Sequence, residues 1–168
     1  VTGLRFVDLG SGIGGVVIAS LMLHPEVVDS ACGIEKDRDL HDTMKQWLRA
    51  AGEHWPWLQH CTELLECDMI NGDFTTDASV SKVLQSADVV FVNNYLFDHQ
   101  TGQKHGVSLN QKLKALLCNT LTPGTTLVTT SCLSDTRRPT KRARGDSSAS
   151  RFVVTHRSFA LHPSDVSW

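Results

Sequence analysis

The stretch Phe6-Val7-Asp8-Leu9-Gly10-Ser11-Gly12-Ile13-Gly14-Gly15 constrains this chain more than any other part of it. A short apolar run ends in a carboxylate and a series of glycines, and the helical pattern Val16-Val17-Ile18-Ala19-Ser20-Leu21-Met22-Leu23 follows. This order predicts a strand, a tight turn and a helix N-terminus. Glycines in such a turn allow positive φ and let a ligand approach bare backbone. The free N–H groups at the helix start favour a polar or anionic ligand group. A nucleotide-type cofactor is the first expectation.

Gly10-x-Gly12-x-x-Gly15 also spells the dinucleotide fingerprint. No Lys-Ser/Thr follows it, which disfavours a P-loop. Asp8 discriminates among the remaining ligands. A carboxylate at the strand's end would repel a diphosphate, whereas it suits the ammonium of an amino-acid group. S-adenosylmethionine (SAM) carries that ammonium and a sulfonium, and it has no phosphate. The alternative at this point is a plain glycine turn with Asp8 as a helix cap.

A chain of 168 residues is one domain by length and can bury a good core. Its formal net charge of −2 hides a basic cluster, Arg137, Arg138, Lys141, Arg142 and Arg144, so the rest is more acidic. No apolar run approaches a membrane span, and no signal peptide precedes the first strand pattern. That abrupt start is what a fragment of a longer protein would show. The five cysteines (Cys32, Cys61, Cys67, Cys118 and Cys132) form no C-x-x-C pair, and they read as reduced intracellular thiols. The eight histidines lack metal-ligand spacing, so no metal is expected.

Beyond Pro25, a second strand is expected around Asp29–Ile34, with Glu35 at its end. An acid at that place can accept hydrogen bonds from two ribose hydroxyls; its alternative role is a surface helix cap. Asp39–Gly52 holds Leu40, Met44, Trp47, Leu48 and Ala51 at amphipathic helical spacing, with Gly52 as its C-cap. Trp55 and Trp57 flank Pro56 in a connecting loop. Cys61–Cys67 reads as a third strand. Gly72-Asp73-Phe74 follows, where an Asp can accept from an adenine amino group while a Phe ring covers the base; an N-terminal turn into a helix near Thr76–Gln85 is the alternative.

Asp88-Val89-Val90-Phe91-Val92 is a compact apolar strand that runs into Asn93-Asn94-Tyr95-Leu96-Phe97. Amides at a strand's C-terminal edge lie where open α/β sheets bind ligands, although a polar turn before a helix over Val107–Leu121 would also explain them. Pro123-Gly124 makes a turn, and Thr125–Ser131 reads as a fifth strand. Ser134–Ser150 carries the basic cluster and reads as a flexible loop. Arg151–Leu161 resumes strand-like alternation. This order predicts an α/β fold with a doubly wound, mostly parallel sheet.

Taken together, Phe6–Gly14, Gly33-Ile34-Glu35-Lys36, Gly72-Asp73-Phe74 and Phe91–Phe97 closely resemble the Dot1 family, and so does the terminal Val166-Ser167-Trp168. Members of that family are non-SET, SAM-dependent histone methyltransferases of the nucleus, acting on a lysine of the globular face of histone H3 within the nucleosome. The likeness runs through nearly the whole chain. Phe91–Phe97 is its specific part, because the first motif alone indicates only a class I methyltransferase.

The resemblance implies a Rossmann-like class I SAM-dependent methyltransferase domain over 1–168. It implies that Asp8, Gly10 and Gly12 hold the methionyl part of SAM, that Glu35 holds the ribose, and that Asp73 and Phe74 hold the adenine. Asn93 would sit at the methyl-transfer site and contact the cofactor there. Phe97 and Trp168 would wall the lysine channel, with Tyr95 as a further candidate whose ring could instead pack beneath the loop. The chain departs from the family at Gly15, where Gln is usual. The family's N-terminal cofactor lid and the last strand of its sheet are expected to be absent from this sequence.

Two other readings remain open from the residues alone. One is a class I methyltransferase acting on RNA or a small molecule, and the other is a non-catalytic SAM-fold binding module. For the basic residues between Arg137 and Arg144, contact with DNA or with the acidic histone patch, a nuclear-import signal and a solvated loop all stand open.

Overall fold

The computed structural model describes residues 3–67, 78–94, 109–131 and 133. The elements are β1 (Leu4–Leu9), α1 (Gly15–Leu23), β2 (Val28–Glu35), α2 (Arg38–His54), α3 (Trp57–Cys61), β3 (Thr62–Glu66), α4 (Ala78–Gln85), β4 (Val89–Val92), α5 (Leu109–Thr120) and β5 (Thr126–Thr129). The strands form one sheet in the order β3-β2-β1-β4-β5, and every neighbouring pair is parallel. The chain winds outward from β1 in one direction, then returns to the other side of β1. The change of direction lies between β1 and β4, the place where open parallel sheets of this kind hold ligands.

Alternation along the strands divides the core into two. Val7, Leu9, Cys32, Ile34, Val90, Val92 and Leu127 face one side and pack against α4 and α5 through Val80, Val83, Leu84, Leu113 and Leu117. Ala31, together with the partly buried Phe6, Val28 and Leu64, faces Val17 and Leu21 of α1, Met44 and Leu48 of α2, and Leu58 of α3. Helices on both faces explain why the central strands read as nearly unbroken apolar runs.

Three local readings of the sequence are corrected. The stripe that α2 buries is His41, Met44, Leu48 and Gly52, whereas Leu40 and Trp47 are exposed. Gly52 is inside the helix rather than at its C-cap, which is Trp55. A Cβ at position 52 would meet the side chain of Gln59 from α3, which is exposed and would have to swing aside. Trp57 opens α3 instead of lying in a loop. Asp37 caps α2 by accepting from the N–H groups of Asp39 and Leu40, a pairing worth about 1 kcal/mol in typical helices.

Gly33 occupies the middle of the sheet where the turn after β1 passes overhead. A Cβ there would stand 2.9 Å from Ser11 Oγ, 3.1 Å from Ser11 Cβ and 3.2 Å from Val17 Cγ2. Both neighbours are held by backbone ties and neither can retreat far. Gly33→Ala is therefore expected to destabilise the fold by about 1–3 kcal/mol, read as a lowered urea midpoint at unchanged slope. An unchanged midpoint would mean that the turn yields freely.

Candidate cofactor and methyl-transfer site

The turn between β1 and α1 is fastened to the end of β2. The N–H groups of Gly10 and Ser11 donate to the Ile34 carbonyl at 2.8 and 3.1 Å, and Gly14 N–H donates to Ser11 O at 2.8 Å. Gly10, Gly12 and Gly14 have positive φ. At Gly10 and Gly12 a Cβ would meet open space, so backbone rather than side chain lines the turn. Gly14 starts α1 in a left-handed conformation with no side-chain cap, and a Cβ there would strike the Met44 thioether. Gly15 has ordinary φ and no neighbour within 4 Å of a Cβ. It thus lacks the close helix–strand packing that the third glycine of a dinucleotide fingerprint provides.

Asp8 is the penultimate residue of β1, in register with Gly33 on one side and Phe91 on the other. It is 2 % exposed, and its carboxylate finds no hydrogen-bond donor among the described residues. It does not cap α1, because Gly14 takes that position. Burial first, and the charge of Glu35 second, push its carboxyl from 3.8 up to about 7.

Glu35 ends β2 beside Glu66 of β3 and is also buried. Its Oε2 accepts from Gly12 N–H at 2.7 Å, and its Oε1 accepts from the N–H groups of Lys36 and Asp37 at 2.9 Å each. The side chain is thus aimed at the glycine turn, and the helix-capping role belongs to Asp37. Two acids converge on a turn lined by bare backbone. The pair suits a ligand that brings positive charge and hydroxyl donors.

The two amides after β4 have different roles. Asn93 is exposed, and its Oδ1 accepts from the Thr130 hydroxyl at 2.9 Å. Asn94 is fully buried. Its Oδ1 accepts from Ser131 N–H at 2.8 Å, and its Nδ2 donates to Ser131 O at 3.0 Å and to Asn110 Oδ1 at 2.8 Å. Asn94 therefore extends the β4–β5 ladder by side chain and locks α5 to it, whereas Asn93 is left facing solvent at the sheet edge.

Asp73, Phe74, Tyr95, Phe97 and Trp168 lie outside the described residues, as do Arg137, Arg138, Lys141, Arg142 and Arg144. The described part of the site brings Asp8, Gly10, Gly12 and Glu35 together, with Asn93 at the end of β4.

Sequence reasoning missed Thr130, the Asn94–Asn110–Ser131 clamp and His41. The rule that singled out Asn93, polar residues at a strand's C-terminal edge, applies equally to Thr129-Thr130-Ser131 after β5. His41 had no such signal. Its ring is buried in α2, with neither nitrogen hydrogen-bonded among the described residues, and its Nδ1 is 4.0 Å from carboxylate oxygens of Asp42 and Glu66.

The architecture is that of the class I SAM-dependent methyltransferases. The mitomycin 7-O-methyltransferase MmcR superposes with a TM-score of 0.53 at 18% identity, covering 74% of this chain and 30% of that one. At the level of family, the model described as histone methylation protein DOT1 matches residues 2–168, and the chain belongs to that family. It is similar to the histone-lysine N-methyltransferase, H3 lysine-79 specific, of Emericella nidulans, at 33% identity over 109 residues that cover 59% of this chain and 20% of the relative. The protein of the same description from Aspergillus fumigatus is 33% identical over 105 residues, covering 59% of this chain and 19% of the relative. The chain thus spans about a fifth of the length of these curated relatives.

The raised Asp8 carboxyl gives a test of the site's electrostatics. An unfolded chain releases this proton near 3.8, while the folded chain keeps it until about 7. Across that window the folded state binds more protons, so stability falls as pH rises, and the contribution is gone above about 7. Asp8→Asn removes the titration. Its stability relative to the wild type is expected to climb by up to about 1.4 kcal/mol per pH unit through the window, then to level off. Thermal midpoints of both proteins at mildly acid and mildly alkaline pH check this. An equal difference at both would mean that the carboxylate is well solvated.

Proposed function

We propose that this chain is a SAM-dependent methyltransferase catalytic domain that transfers methyl groups to a lysine side chain on the globular core of histone H3 in nucleosomes. The observation that carries the cofactor reading is the buried Asp8 carboxylate, without a donor among the described residues, under a glycine turn at the sheet's change of direction. A group that brings an ammonium and a sulfonium fits that acid, and a diphosphate does not. Family membership supports the histone substrate, and the names of the relatives point to lysine-79 of H3 and to a nuclear setting.

In this reading Asp8, Gly10 and Gly12 hold the methionyl part of SAM, and Glu35 turns from the backbone toward the ribose hydroxyls. Asp73 and Phe74 hold the adenine. Asn93 orients the reacting groups, and Phe97, Trp168 and Tyr95 contribute to the lysine channel. When bound, SAM supplies an electrophilic methyl on a sulfonium.

The residues of the chain have two tasks. They must align the lysine amine with that methyl, and they must receive the amine without its proton. A free lysine holds its proton up to about 10.4. Desolvation in an aromatic channel, beside a positive charge, lowers that value, and alignment contributes the larger share of the rate. No described side chain near Asn93 is a general base. Arg137, Arg138, Lys141, Arg142 and Arg144 supply contacts to nucleosomal DNA or to the acidic histone patch.

Calorimetric titration of SAM and of NAD, followed by labelled methyl transfer to nucleosomes and to free H3, tests the reading. SAM is expected to bind and NAD not, with transfer favouring nucleosomes. SAM affinity should weaken about tenfold for each pH unit below the Asp8 transition, since the bound ammonium needs the ionised carboxylate. Asn93→Ala should lose roughly a hundredfold in turnover with little change in SAM affinity. Equal losses in both would argue against its place at the transfer site. NAD binding, or transfer to RNA in place of histone, would overturn the function. A full-length protein that binds SAM yet methylates nothing would point to a binding module. Replacing the five basic side chains by Gln should flatten the salt dependence of nucleosome binding, and an unchanged salt slope would remove them from the interface.

A further inference from the structure

The register of β4 against β5, with Val92 beside Thr129, continues one step past both strands. It sets Asn93 beside Thr130 and Asn94 beside Ser131. Thr130 N–H extends the ladder by donating to the Val92 carbonyl at 3.3 Å. The Thr130 hydroxyl then stands between two amide oxygens, 2.9 Å from Asn93 Oδ1 and 3.3 Å from Asn94 Oδ1.

A hydroxyl has one proton and two lone pairs, so it can donate to only one of these oxygens. Asn94 is fixed in orientation. Ser131 N–H can only donate to it and Ser131 O can only accept from it. Asn93 has no such constraint among the described residues, and its amide has two orientations that both satisfy Thr130. In one, the hydroxyl donates to Asn93 Oδ1 and the Asn93 NH2 faces outward. In the other, Asn93 Nδ2 donates to the hydroxyl, whose proton passes to Asn94 Oδ1, and the Asn93 carbonyl faces outward. The second forms a continuous chain of donors into the buried clamp.

We propose that Thr130 is the positioning residue for Asn93, holding its amide with the carbonyl outward to accept an N–H of the attacking amine. This rests on the methyltransferase reading above. A neutral amine has N–H bonds to donate and one lone pair that must stay free for the methyl. A carbonyl engages the former and leaves the latter, whereas an outward NH2 would donate to the lone pair and block it. Asn94, Asn110 and Ser131 give Thr130 a rigid base. Thr130 itself is exposed, so its hydroxyl can be removed without opening the core.

The test compares Thr130→Val, which keeps the shape and loses the hydroxyl, with Thr130→Ser, which keeps the hydroxyl. The first readout needs no reaction. The side-chain amide NMR resonances of Asn93, assigned by their loss in Asn93→Ala, should move to a free-amide position in Thr130→Val and stay in place in Thr130→Ser. The second readout is kinetic. Thr130→Val should lose about tenfold in kcat for methyl transfer with SAM affinity and thermal midpoint unchanged. Thr130→Ser should recover that loss, and Thr130→Val should add nothing on top of Asn93→Ala.

An Asn93 amide pair that ignores Thr130→Val overturns the proposal. So does a full, additive loss in the double variant, or a kcat that Thr130→Val leaves intact. If the wild-type protein transfers no methyl while its Asn93 pair still responds to Thr130→Val, the methyltransferase reading falls and the coupling of the two side chains is supported.

Discussion

The Ile34 carbonyl, which accepts from both Gly10 and Ser11, is the tie on which the rest of the site depends. It fastens the turn after β1 to the end of β2 and so fixes the start of α1 over the sheet. The same crossing brings Ser11 and Val17 down onto Gly33, where no side chain can stand between them. It also sets Gly12 N–H within reach of Glu35. Loosening the tie would move the glycine turn, the first helix and the hydrogen bond to Glu35 together. A site built this way is held through the strand end of β2, to which the turn is hydrogen-bonded.

This arrangement has an electrostatic cost, and it is concentrated at Asp8. Burial disfavours the charged form of its carboxylate, which has no donor among the described residues, and Glu35 adds repulsion. A purely structural sequence would place an apolar residue there, since the neighbours in register are Gly33 and Phe91. An acid at this point makes the fold less stable at neutral pH than it is in mild acid. Local disagreement with the rules of a good core is characteristic of functional sites. Glu35 differs because three backbone N–H groups already satisfy it, so a ligand hydroxyl must compete with them.

The strands were legible in the sequence because both faces of a parallel sheet are buried, so Val90 and Val92 stand in an unbroken apolar run and Val7 and Leu9 in one broken only by Asp8. Asp8 and Glu35 were legible because carboxylates near the ends of such strands have no packing reason to be there. The stripe read for helix α2 is right at Met44, Leu48 and the partly buried Ala51 and wrong at Leu40 and Trp47. Leu40 and Trp47 look like core residues by hydrophobicity, yet His41 and Gly52 take the inward positions. The reason is tertiary: the Gln59 side chain of α3 lies over Gly52 in the space a Cβ would take. The short α3 itself was hidden by Pro56, which reads as a loop and instead serves as its cap.

The pair Asn93-Asn94 shows most sharply what a linear reading leaves out. Side chains point alternately along an extended chain, so adjacent identical amides meet opposite surroundings. One is enclosed by Ser131 and Asn110, and the other stays at the open edge with Thr130 as its partner among the described residues. Removing Asn94 would deprive the half-buried Ser131 backbone of two bonds and strand the buried Asn110 carbonyl, a buried polar group left unpaired costing about 1–3 kcal/mol. Removing Asn93 strands a hydroxyl that water can reach. Stability therefore constrains Asn94 more tightly than Asn93, whose partner among the described residues is the exposed Thr130 hydroxyl. The separation is a condition for using an amide in recognition at all. A group that must hold the sheet together cannot turn, and because Asn94 carries that task through Ser131 and Asn110, Asn93 is bound only through an exposed hydroxyl among the described residues.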